Sequence, residues 1–279
     1  MNAARGPERG SSSGYPPEQH VLRDLRLWTE RDASGARSGL PVVPEICGPA
    51  GDVHLGVLAT LVDVAGGELA VRSASPDWVA TSDIVLHRLR PVQGATVEAR
   101  PALMRRSRTT IVLELTLSDG AAGPLAFATT SFAIIPAREP QQRMGVGHDA
   151  ARTEFALPGS GLDRPLVPRI GVRCLDAGSG QLELPLGPYT VNSLGALQGG
   201  VSALLATLAA EAAGAAALGG ICAARDLALH YLSLARECPV RASARVLRRD
   251  ASGALLRVES RDGAGRLTTF ASVGVGAPV

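Results

Sequence analysis

The feature that most constrains this chain is an internal repeat. "GDVHLGVLATLVDVAGGELA" in the first half is answered by "GALQGGVSALLATLAAEAAG" in the second, and Gly56 aligns with Gly200 at an offset of 144 residues. Downstream, "TSDIVLHRLRPVQ" is answered by "ARDLALHYLSLAR", and Asp83 aligns with Asp226 at an offset of 143. An offset held this constant marks duplication of one structural unit, and a unit that recurs must carry its own elements in the same order each time.

That order is readable within each unit. Two short strand-like runs come first, "VLRDLRLW" and "GLPVVPEI" in one unit, "VPRIGVRCL" and "GQLELPL" in the other. A helix of about 16 to 20 residues follows, apolar nearly all round and therefore buried. Three or four alternating strands with D-G and S-G turns close the unit, for example "TTIVLELTLSD" and "LLRVESRD". The expected fold class is α+β, two tandem units that each wrap an antiparallel sheet around one long buried helix.

Residues 1–19, rich in Gly, Pro and Ser, read as a disordered tail without the apolar core of a secretory signal. A Pro- and Gly-containing stretch without periodicity, 138–164, reads as a linker. The units are then 20–137 and 165–279. A net charge of +2 with no dense basic cluster argues against a nucleic-acid partner. Cys47, Cys174, Cys222 and Cys238 show neither C-x-x-C spacing nor a nearby His, so no metal is expected, and free thiols fit a cytoplasmic setting. The apolar run from Leu194 to Cys222 is long enough for a membrane span, but it is mostly Ala and Gly and is interrupted by Gln198 and Glu211. Its match to the helix after His54 favours burial inside a sheet.

The pattern H-x-G-x-x-x-x-L-x-D from His54 to Asp63, the D-x-x-L strand, the "LRPV" bend and "RRSRTT" resemble the hotdog-fold thioesterases of the phenylacetyl-CoA thioesterase type. The resemblance extends over both units, which implies a double hotdog, two folds in one chain imitating the usual dimer. It implies a thioester hydrolase acting on an acyl-CoA or related carrier thioester, without cofactor beyond the coenzyme A of the substrate, and a homo-oligomer of double hotdogs.

Such a hydrolysis needs N–H donors where negative charge develops on the carbonyl oxygen, and a carboxylate to activate water or attack directly. Gly199 and Gly200 stand at a helix N-terminus, where unpaired amides and the helix dipole serve the first need. Asp63 lies nine residues after His54, about 13 Å along its own helix, so it cannot easily serve that helix's N-terminus. In the family the carboxylate of one helix serves the glycine end of the other. The family's site also resembles an Asn six residues before the His position and a hydroxyl two before the Asp of D-x-x-L. Here Asn192 and Gly199 occur only in the second unit, Asp63 and Thr81 only in the first; Gly48, Leu55 and Thr207 fill the vacated positions. The resemblance thus implies one composite site per chain. Asp63 is its base or nucleophile, Asn192 and Gly199 polarise the thioester oxygen, and Thr81 orients water. Gly200 and Gln198, the latter in place of the family's His, contact substrate, and Arg105, Arg106 and Arg108 could meet coenzyme A phosphates.

The plainer readings stand beside these. Asn192 suits a turn, Thr81 an ordinary strand position, and the three arginines a solvated strand end. His54 and Glu211 read as structural contacts of the degenerate half. A catalytically silent acyl-binding protein is the alternative function. A hotdog dehydratase would need a His paired with a carboxylate across the interface, where the second unit has Gln198.

Overall fold

A computed structural model describes residues 15–32, 35–137 and 151–277. The first unit runs α1 (Val21–Asp24), β1 (Trp28–Asp32), β2 (Gly35–Pro41), α2 (Leu55–Ala74), β3 (Trp78–Arg88), β4 (Thr96–Arg106), β5 (Thr110–Ser118) and β6 (Ala126–Ile135). After β7 (Ala151–Glu154), the second unit runs α3 (Leu166–Arg169), β8 (Arg173–Asp176), β9 (Gln181–Leu184), α4 (Gly199–Leu218), β10 (Ala223–Tyr231), β11 (Val240–Asp250), β12 (Gly253–Arg261) and β13 (Leu267–Gly276).

All of these strands form one antiparallel sheet in the order β7-β1-β2-β4-β5-β6-β3-β10-β13-β12-β11-β9-β8. Leaving β7 aside, the order reads the same from either end once the units are exchanged, so the duplication is a two-fold relation in space. Its axis passes through the β3–β10 seam, where Val85 pairs with Ala228, while Asp226 faces His87 and His230 faces Asp83. These pairs exchange onto one another at the offset of 143 read from the sequence.

Each unit opens differently from expectation. The runs read as first strands begin with a helical turn, α1 and α3, before β1 and β8 start. His20 caps α1 by accepting the Leu22 N–H on Nδ1 at 3.2 Å, and Val21, Leu22 and Leu25 pack into the core together. That spacing suits a helical turn that puts several apolar side chains on one side. The expected tail and linker also contain ordered chain. Residues 1–14 and 138–150 lie outside the described residues, but the Pro16 and Pro17 carbonyls accept from Arg23, and β7 pairs with β1 from Trp28↔Glu154 to Arg31↔Ala151.

The two long helices lie side by side and run in opposite directions. A Cβ built on Gly56 would fall 2.2 Å from the Leu204 Cα, and one on Gly200 would fall 2.5 Å from the Thr60 Cα. Only glycine permits this approach, and the two contacts are images of each other under the repeat. Helix α4 ends in a left-handed Gly219 (φ 74°) whose N–H returns to the Ala215 carbonyl, a common helix stop. By length and composition α4 could cross a membrane, with a mean hydropathy of 1.7, but 61% of its most apolar window is buried within the protein. It packs on β11 to β13 and on α2.

Replacing Gly56 by Ala is expected to destabilise the fold by about 1–3 kcal/mol, since the helices must separate. Gly67, in the same helix, would place its Cβ no closer than 3.9 Å to Phe132, so Gly67→Ala should be stabilising by about 0.5–1 kcal/mol through helix propensity. Urea unfolding midpoints of the two variants read the contrast.

Candidate active site

The antiparallel crossing brings the middle of α2 to the N-terminus of α4. A Cβ on Gly199 would fall 2.6 Å from Asp63 Oδ2, so the carboxyl of the first unit faces the glycine end of the second. Thr81 Oγ1 donates to Asp63 Oδ1 at 2.7 Å, Gln198 Nε2 donates to Oδ2 at 3.1 Å, and the Gly200 N–H also donates to the carboxyl. Asp63 sits deep among protein atoms but keeps some accessible surface, as a group that must meet a ligand requires. Burial raises its pKa above the ordinary carboxylate value, and the Thr81, Gly200 and Gln198 donors oppose that rise without cancelling it.

Local structure explains each position. Strand β3 shifts register against β6 between Thr81 and Asp83, and a bulge of this kind re-aims a side chain beside a site. Thr81 is thereby turned to Asp63. Gln198 is the N-cap of α4: its Oε1 accepts the Val201 N–H at 2.9 Å, which leaves Nε2 to face Asp63. The Ser202 N–H returns to the Gln198 carbonyl and Gly200 serves Asp63, so in the first turn of α4 the Gly199 N–H alone has no partner among the described residues. Tyr231 Oη donates to the Gly199 carbonyl at 2.8 Å and pins this turn to β10.

The structure therefore brings Asp63, Thr81, Gln198, Gly199 and Gly200 together. Gln198, expected to contact substrate, bridges the helix cap and the carboxyl. Asn192 forms a turn as well: its Oδ1 accepts from the Leu194 and Ala196 N–H groups at 2.9 and 3.1 Å, leaving its Nδ2 as the group able to donate elsewhere. Arg105, Arg106 and Arg108 are exposed at the far end of α2, where Arg106 Nε donates to the Ser73 carbonyl at 2.7 Å. Tyr231 and Tyr15 were not singled out from the sequence. Tyr15 lies close enough to Asp63 for the carboxylate charge to raise its phenol pKa further, beyond the larger effect of burial, yet it falls in a stretch whose composition reads as a tail.

The image of this site in the other half has different chemistry. Thr207, at the Asp63 position, turns its Oγ1 to the Leu204 carbonyl. One turn further along α4, Glu211 reaches across to His54, with Oε2 3.8 Å from Nδ1. A His and a carboxylate do face each other across the units, then, in the half where the sequence comparison placed only structural contacts. Arg88, in the place of Tyr231, bonds Asp52 and the Val53 carbonyl at the start of α2. Burial, and secondarily the Arg88 charge, lower the His54 pKa to about 4. Burial raises Glu211 to about 7, partly offset by the Ala224 N–H it accepts and by Arg88. The neighbouring cavity, lined in part by Asp52, Arg88 and Ala224, holds about 30 Å³, a space on the scale of bound water rather than of a substrate.

Residues 50–123 match the family model described as "Thioesterase superfamily". A Halobacterium salinarum protein named "Putative esterase" is 45% identical over 71 residues, 24% of this chain and 46% of that protein, so the match spans about half the relative's length. The tesB protein of Mycobacterium avium subs paratuberculosis superposes with a TM-score of 0.62 at 18% identity, over 87% of this chain and 93% of that one. A conserved protein with a hot dog fold from Alicyclobacillus acidocaldarius gives 0.61 at 15% identity, over 93% and 99%. The chain is a double hotdog. The segment matched by the family model lies in its first unit and contains Asp63 and Thr81, while the glycine end of the candidate site lies outside that segment.

The degenerate half of this double hotdog yields a stability prediction with a definite sign. Glu211 has a folded pKa above its unfolded value, so its contribution is fully present below the unfolded value and is lost as pH rises through about 7. His54, held low, contributes above its unfolded value and loses that contribution as pH falls through about 4. Glu211→Gln should therefore flatten the decline in stability between about pH 5 and pH 7.5, a difference on the order of 1–3 kcal/mol. It should leave the acid limb in place, as read from urea midpoints across that range.

Proposed function

We propose that the protein hydrolyses an acyl thioester, of coenzyme A or a related carrier, at the single composite site between its units. The observation that carries this reading is the Asp63 carboxyl of α2 set against the N-terminus of α4. It is held there by Thr81, Gln198 and Gly200, beside an unengaged Gly199 N–H. A carboxylate and a preorganised amide donor are the two groups the reaction requires.

In the reaction, the thioester oxygen takes the Gly199 N–H, with Asn192 Nδ2 as a second donor, and the carbonyl carbon faces Asp63. The carboxylate either removes a proton from an attacking water or attacks the carbon itself, giving an anhydride that water then opens. In both courses the C–S bond breaks, the acid is released, and the sulfur leaves as a thiol after taking up a proton. Thr81 holds one carboxylate oxygen and so fixes which one faces the substrate. Gln198 does for the other oxygen what a titratable His would do, without a charge that changes with pH. The three arginines at and just beyond the end of β4 remain candidates for the distal phosphates, since an extended carrier is long enough to reach beyond the helix.

The site needs Asp63 ionised, and its pKa is raised, so hydrolysis is expected to fall as pH drops through a value above the ordinary carboxylate range. Asp63→Asn should lower kcat by about 10²–10⁴-fold. Thr81→Val removes a donor to the ionised form and should move the acid limb of kcat to higher pH while lowering its plateau. Thiol release from a panel of acyl-CoAs, assayed across pH, reads both effects. Equal rates for the wild type and Asp63→Asn on every substrate would leave the silent acyl-binding alternative.

A further inference from the structure

The thioester must reach a deep-set carboxyl, and the structure offers a groove for its longer arm. This groove, about 390 Å³, is open to solvent and lined on one side by Tyr15 and on the other by the loop carrying Leu186, Val191 and Asn192, with Arg236 also in its lining. The two sides are tied together: the Val21 N–H donates to the Tyr189 carbonyl at 3.0 Å, and His20 Nε2 lies 3.0 Å from the Val191 carbonyl. The loop is also tied to the candidate site, since the Gln198 N–H donates to the Thr190 carbonyl at 2.9 Å and Val191 bridges Leu197. Tyr15, which lines the groove, lies within reach of the Asp63 charge.

Its chemistry is specific. Most of the lining is aliphatic or backbone, with Asn192 as its amide. Arg236 is the one charged residue of the lining; it is exposed and forms no ion pair among the described residues. An open groove with a cation suits the solvent-facing, charged end of a substrate better than a fatty acyl chain, which gains most from enclosure. Glycines in both bends, Gly187 and Gly195, have no atom within 4 Å of where a Cβ would stand, so the backbone there is open to a ligand.

We propose that this groove receives the phosphopantetheine arm of the thioester and that Arg236 binds its phosphate. The inference rests on the thioesterase reading for the identity of the ligand. The arm is common to coenzyme A and to acyl carrier proteins, and Arg236 meets the phosphate that both share. A guanidinium fork pairs with a phosphate through two parallel hydrogen bonds, and at an exposed site such a contact is expected to change binding about tenfold.

The test compares one acyl group on three thiols: coenzyme A, phosphopantetheine, and N-acetylcysteamine, which lacks the phosphate. The wild type should show a lower KM for the two phosphorylated thioesters. Arg236→Ala should shrink that advantage about tenfold for both, and Arg236→Lys should restore part of it. An unchanged advantage in Arg236→Ala overturns the proposal, as does a loss confined to the triple variant Arg105→Ala, Arg106→Ala, Arg108→Ala. A loss with coenzyme A but not with phosphopantetheine overturns it too, by assigning Arg236 to the nucleotide end. If no thioester is hydrolysed, the enzymatic reading fails separately, and calorimetry with coenzyme A then decides the groove: binding weakened in Arg236→Ala upholds it, and unweakened or absent binding does not.

Discussion

The close crossing of α2 and α4 is the contact on which the rest depends. Gly56 lies on the Leu204 backbone and Gly200 on Thr60, and a side chain at either glycine would hold the helices apart. At this separation a carboxylate side chain from the middle of one helix reaches the first turn of the other. It also fixes where the two halves of the sheet meet, because each helix lies on strands of its own unit, and the seam of β3 with β10 follows from their placement. Fold and site thus share one constraint, a pair of glycines related by the repeat.

The same crossing creates two equivalent places, and the sequence treats them in opposite ways. At the α4 N-terminus stand an acid, an amide and a tyrosine: Asp63, Gln198 and Tyr231. At the α2 N-terminus stand a buried His54 and the guanidinium of Arg88, a cation where the helix dipole already places positive charge. Such an end favours an anion beside it, and Asp52, hydrogen-bonded to Arg88, supplies it, while Glu211 faces His54. The local charges therefore close on each other. With Leu55 in place of Gly199's equivalent and about 30 Å³ of space nearby, the two equivalent places differ in both chemistry and room.

How far this could be read in advance depended on what kind of signal each feature left. The two-fold architecture was legible because duplication leaves a constant offset, and the strand register at Val85 and Ala228 repeats that offset in space. The helices were legible from their long, mostly apolar runs. The pairing of Asp63 with Gly199 was legible only through resemblance, since no single-chain pattern says which helix end a mid-helix carboxylate will meet. Other features left no such trace. The turns α1 and α3 share their apolar content with strands over too few residues for period to separate them. Glu211 sits one turn from the position the alignment marks, and a side chain with freedom to lean along its helix makes up that difference. Arg88 and Tyr231 occupy equivalent positions with unlike chemistry, which alignment alone reports as divergence and geometry explains as two ways of fastening a helix start.

The hardest feature to foresee is the role of Tyr15. Its surroundings in sequence, Gly, Ser and Pro, have the composition of unstructured chain, yet Pro16 and Pro17 are held by their carbonyls on Arg23 and the segment lies along the second unit's loop. Prolines fix backbone angles and cannot donate N–H groups, so a short Pro-Pro segment can be ordered by its carbonyls alone, without helix or strand. The first unit thereby meets the loop of the second, and Tyr15 and Pro17 line one groove with Val191 and Asn192. The composite character of the site is then deeper than an exchange of a carboxylate for an amide. One unit supplies Asp63 and the Tyr15 segment, the other the α4 terminus and the loop that lines the groove with Tyr15.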